Sequence, residues 1–110
     1  LALAVGRTDE ATARFREALE ETWRQRHDSA VLEQLNAVAA LARERGEWER
    51  AARLLGALDA GLERLGGVLP EPISRRERTR TLAAAREQLG EPAFAAAFAA
   101  GRALSLAAQP

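Results

Sequence analysis

Apolar residues recur along this chain every three or four positions, with polar residues filling the intervals. The clearest run is Trp48, Ala51, Leu55, Leu58, Leu62 and Leu65, one continuous seam that predicts a helix over residues 47–65. Leu54, Ala57 and Gly61 lie beside the seam, where small residues let another helix come close. Arg50, Arg53, Glu63 and Arg64 fall on the polar side. An earlier run, Ala11, Phe15, Ala18, Leu19 and Thr22/Trp23, has the same spacing and predicts a helix ending near Arg26. Between them, Val31, Leu35, Val38 and Ala42 form a stripe that Leu32, Ala39 and Leu41 widen. A stripe that wide predicts a helix over residues 30–45 with neighbours on two sides.

The punctuation agrees with these limits. Gly6 is a C′ glycine for a short helical piece over residues 1–5. Thr8 is placed to cap the next helix, with Asp9 and Glu10 in its first turn. Asp28 or Ser29 caps the following one, and Gly46 ends it. Gly66, Gly67, Pro70 and Pro72 mark a linker. Ser74 and Glu77 have capping-box spacing and predict a helix from residue 74 to about Leu89, with Leu82, Ala85 and Leu89 inward and Gly90 closing it. Pro92 suits the first position of a last helix, whose packing face is Phe94, Ala97, Phe98 and Gly101, with fraying expected from Leu104 onward. The expectation is an all-α chain of six helical pieces, with short turns making neighbours antiparallel. Residues 1–66 form helical hairpins, 67–73 a linker and 74–110 a C-terminal helix pair, all within one compact domain.

Composition narrows the function more than it names it. The 110 residues suffice for one domain with a modest core. Formal net charge is zero, so nothing pulls the whole chain toward nucleic acid or membrane. No stretch of about 20 apolar residues occurs; the nearest, residues 93–108, is mostly alanine and contains Arg102. Cysteine is absent, which excludes disulfides and thiolate chemistry. The chain opens on Leu1 and contains no methionine, as expected of a piece of something longer. All 16 basic residues are arginine, which fits a GC-rich coding sequence.

No catalytic set can be assembled, and no cofactor or metal is expected. His27 is the single histidine, and its place at a helix end suits the carbonyl end of the dipole better than a metal or a proton transfer. Glu17, Glu20 and Glu21 sit beside Arg14, Arg16 and Arg24 at ion-pair spacing on a solvated face. Gly66-Gly67 lacks the lysine and hydroxyl of a phosphate loop. Trp23 and Trp48 lie on apolar seams, as core residues do. Arg75, Arg76, Arg78 and Arg80 form the densest basic run, which offers a nucleic-acid reading, but Glu71 and Glu77 interrupt it and no aromatic residue is interleaved.

One skeleton occurs twice: Gly6, Ala11, Phe15, Ala18 and Gly46, Ala51, Leu55, Leu58, with the glycines 40 residues apart. Glycine turns the chain, alanine permits the closest crossing, and a bulky residue fills the gap one turn later. These residues resemble the tetratricopeptide repeat, although the usual spacing is about 34 and the tryptophan-leucine-glycine start is missing. The resemblance implies stacked antiparallel hairpins whose first helices line a concave surface. That role falls to the helix over residues 30–45, which makes Glu33, Asn36 and Arg43, with Gln34, the candidate partner-binding residues.

Residues 49–57 (Glu-Arg-Ala-Ala-Arg-Leu-Leu-Gly-Ala), 82–94 and 101–105 together resemble the C-terminal end of LuxR-type and related bacterial ATPase-containing transcription regulators. The resemblance implies a non-catalytic, cytoplasmic protein-interaction or sensor segment that contacts a protein partner or other domains of its parent chain. A small-molecule inducer bound between hairpins is the alternative, and an accessory nucleic-acid contact through Arg75–Arg80 is another. Leu1, Leu3 and Val5, left uncovered at the end of an array, predict a homodimer through that end.

Overall fold

The computed structural model describes residues 9–25, 28–64 and 69–108. Those residues form five helices: α1 (Asp9–Gln25), α2 (Asp28–Glu44), α3 (Trp48–Arg64), α4 (Pro72–Leu89) and α5 (Glu91–Ala108). No strand occurs among them, and the expected all-α class is observed. Residues 1–8, Gly66-Gly67 and His27 lie outside the described residues. So do the side chains of Ala11, Trp23, Asp28 and Ser29. The expectations that rest on these residues, the N-terminal dimer surface included, fall there too.

The turn between α2 and α3 follows from one glycine. Gly46 has φ +70°, a conformation that costs glycine little. Its N–H bonds to Arg43 O at 3.0 Å, and the Glu47 N–H bonds to Ala42 O at 2.9 Å. This is the two-bond C-cap that satisfies the last free carbonyls of a helix.

Two helix limits differ from those read in the sequence. Helix α4 starts at Pro72 with Glu71 as N-cap, and no side chain caps it. Proline, with φ already set and no N–H to satisfy, makes an earlier start favourable. Ser74 and Glu77 are thereby freed from capping. Helix α5 runs to Ala108 rather than fraying after Leu104. Its last turns are held by packing: Ser105 is fully buried and Ala108 nearly so, and Leu104 and Ala108 join the main apolar cluster with Phe15 and Leu19 of α1.

Helix α3 is the centre of the molecule. Ten of its 17 residues are buried, with Leu54, Leu55 and Leu58 at zero exposure. Each such leucine contributes about 1.5–3 kcal/mol. Helices α2, α4 and α5 pack around α3, with α5 making the largest contact. Helix α1 lies mainly on α5 and touches α2 less. Residues on both sides of the linker share one core, which includes Leu69 within it. The whole has a radius of gyration of 12.6 Å.

Candidate interaction surface and cavity

The polar side of α2 faces α4. Ser74 Oγ donates to Glu33 Oε2 at 2.6 Å, and Asn36 Nδ2 donates to the Ser74 carbonyl at 3.0 Å. Farther along, Arg43 donates from Nη1 to Thr81 Oγ1 at 3.0 Å and from Nη2 to Glu77 Oε1 and Glu44 Oε1, both at 2.8 Å. Glu33, Asn36 and Arg43 are thus brought into one line, and α4 is what they touch. Asn36 is only 4% exposed, and the Arg43 side chain 11%. Glu33 Oε1 and Asn36 Oδ1 are buried without a hydrogen-bond partner, so the seam holds two more acceptors than its bonds use. On α2, Ala37 and Leu41 are exposed instead. Leu41, expected in the stripe, is 47% exposed.

The charges on this seam act on one another. Hydrogen bonding to Glu44 raises the Arg43 guanidinium above its ordinary value; burial opposes this, and Glu77 adds to the rise. The same bond holds the Glu44 carboxyl below the usual carboxylate range.

The arginine run of α4 is mostly engaged within the chain. Arg75 donates to the carbonyls of Leu69 and Pro70 at 2.7 and 3.0 Å, clasping the entry to its own helix. Arg78 donates to Asp59 Oδ1 at 3.1 Å, and Arg80 lies 3.7 Å from Glu77. The other oxygen of Asp59 accepts from Arg102, which also reaches Glu63 Oε2 at 2.7 Å. One carboxylate on α3 therefore ties α4 to α5. Bonding to Glu63, then to Asp59, raises the Arg102 guanidinium above its ordinary value.

Helices α3 and α5 meet backbone to backbone. A Cβ on Gly56 would land within the Phe98 carbonyl group, 2.9 Å from its carbon and 3.1 Å from Arg102 N. A Cβ on Gly101 would land in the Arg53 carbonyl group, 2.7 Å from its carbon. The packing face read from the sequence includes Gly101 but omits Gly56. The position of Gly56 one residue from the Leu55 seam was the available signal.

N-terminal to this crossing, the short side chains of α5 leave a cavity of about 320 Å³, lined by Glu49, Arg53, Leu89, Ala93, Ala96, Ala97 and Ala100. Arg53, assigned to the polar side, is only 13% exposed and donates to Glu49 Oε1 at 3.0 Å. Its guanidinium carbon sits 5.9 Å from the centre of the Phe15 ring, a cation–π distance. On α1, Arg16 and Glu20 form the expected i,i+4 pair at 3.9 Å. Trp48 is half-buried. Among the described residues, no cluster of His, Cys, Asp or Glu could hold a metal ion, and no helix is long and apolar enough to cross a membrane.

The fold and this surface define a compact all-helical protein with a shared core, internal polar seams and a cleft between α3 and α5. No family model matches the chain, and neither does any curated protein or solved structure.

Proposed function

We propose that this chain is a non-catalytic interaction and sensor segment of a bacterial signal-transduction ATPase-type transcription regulator, acting in the cytoplasm, with helices stacked as in tetratricopeptide hairpins. The observation that carries the reading is the direction of alternate helices. Helices α2 and α4 advance together: Glu33 and Asn36 meet Ser74, while Arg43 meets Glu77 and Thr81. Helices α3 and α5 do the same: Glu49 and Arg53 face residues 93–100, while Asp59 and Glu63 reach Arg102. Stacked hairpins bring alternate helices side by side in one direction, and the repeated glycine–alanine skeleton supports the same arrangement. Helix α1 departs from an open array by lying on α5. Because α4 engages the polar residues of α2, Ala37 and Leu41 become its candidate partner contacts.

The parent reading frame tests the role. It should encode a nucleotide-binding ATPase domain together with a DNA-binding or cyclase domain, and a frame encoding neither overturns the proposal. Within such a parent, Leu41→Glu should weaken partner-dependent output while leaving folding intact, since Leu41 is exposed.

A further inference from the structure

The cavity between α3 and α5 has an unusual set of walls. Leu89 and the alanines of α5 make it apolar, and its polar groups are Glu49 and Arg53, one turn apart on α3. Among the described residues, the Arg53 guanidinium donates to Glu49 from Nη2, one of the five N–H donors a guanidinium carries. Phe15 supports the guanidinium, and Glu49, 40% exposed, can turn without disturbing the core. Of this i,i+4 pair, the more exposed Glu49 is the half that can exchange its partner, while Arg53 stays held against Phe15.

We propose that this cavity binds a free α-amino acid with an apolar side chain. Its carboxylate would take the open edge of Arg53, its ammonium would take Glu49, and its side chain would lie against Leu89 and the alanines. Charge balance selects this class. A simple organic anion would draw Arg53 from Glu49 and leave that carboxylate unpaired, and an amine would strand Arg53. A zwitterion replaces both halves of the pair and leaves the site neutral. A polypeptide end carries one of the two charges, and an internal residue neither. The volume, about 320 Å³, lies at the small end of the range for ligand sites, and the walls offer no other polar side chain for a hydrophilic side group.

Titration calorimetry on the 110-residue chain tests the site without reference to any parent regulator, so its outcome is separate from that of the regulator reading. L-Leucine should bind saturably at one site. 4-Methylpentanoate, which lacks the ammonium, and isopentylamine, which lacks the carboxylate, should each bind at least about tenfold more weakly. Glu49→Gln keeps the shape of a half-exposed side chain and should weaken leucine binding by a similar factor. Ala96→Trp fills the cleft from an exposed position and should abolish binding with an unchanged denaturation midpoint. Absence of binding by leucine, phenylalanine and methionine at about 10 mM overturns the proposal. So does 4-methylpentanoate binding as tightly as leucine, or leucine binding undiminished in Glu49→Gln.

Discussion

Gly56 and Gly101 are reciprocal: each lies where the backbone of the other's helix passes, Gly56 against the Phe98 carbonyl and Gly101 against the Arg53 carbonyl. Main-chain atoms cannot rotate away as a side chain can, so even a methyl group must push α3 and α5 apart. Gly56→Ala and Gly101→Ala are each expected to destabilise the fold by about 3 kcal/mol or more, despite alanine's better helix propensity. Urea denaturation measures this, and a loss below about 1 kcal/mol at both positions would mean the helices are not in contact.

The α2–α4 seam should show energetic coupling that surface pairs lack. Ser74 and Glu33 meet at 2.6 Å in a partly buried setting, whereas Arg16 and Glu20 lie 3.9 Å apart on an exposed face. A double-mutant cycle of Glu33→Ala with Ser74→Ala should return a coupling of about 1 kcal/mol. The same cycle on Arg16 and Glu20 should return about 0–0.5 kcal/mol. Equal couplings would contradict the seam.

Glu44 gives a pH signature of defined sign. Its carboxyl is lowered by the hydrogen bond from Arg43. A lowered folded value means its contribution is present above the ordinary carboxylate range and lost as pH falls through the folded value. The raised guanidinium of Arg43 contributes fully below its ordinary value, and that contribution is lost only in strong alkali. Wild type should therefore exceed Glu44→Gln in stability at neutral pH by a small margin, since Glu44 is exposed. Denaturation midpoints of the two should converge on acidification, and a gap that widens in acid would reverse the assignment.

Nucleic-acid binding through α4 is expected to be absent. Arg75, Arg78 and Arg80 already face carbonyls or carboxylates, and net charge is zero. Low-salt gel shift should show no complex with the wild type, and Arg76→Glu with Arg80→Glu should leave migration unchanged and cost little stability, since the Arg80–Glu77 pair is exposed on the arginine side. Arg78→Glu should instead destabilise the fold, because it sets two carboxylates against each other at Asp59.

Periodicity and punctuation determined much of this protein without any structure. The Trp48–Leu62 seam named the central helix, Gly46 and Gly90 marked turns, and the helix-period spacing, with no tyrosine and a single isoleucine, argued for the all-α class. These are local properties, since a helix's apolar spacing and a glycine's positive φ are written in adjacent residues. What the polar residues do was decided only by the tertiary structure. Ser74 and Glu77 have the spacing of a helix cap, yet Pro72 starts α4 earlier and leaves them to meet Glu33 and Arg43, some 34–41 residues away. Asn36 looks like surface in the sequence and is buried because α4 crosses it. Gly56 looks like an ordinary small residue and becomes a point of backbone contact because α5 crosses there. The cleft beside Arg53 exists because alanines, good helix formers with little bulk, end where a larger side chain would have filled the space. Contacts of this kind depend on which helices become neighbours. Helix periodicity specifies which faces are buried and leaves the choice of partner to packing.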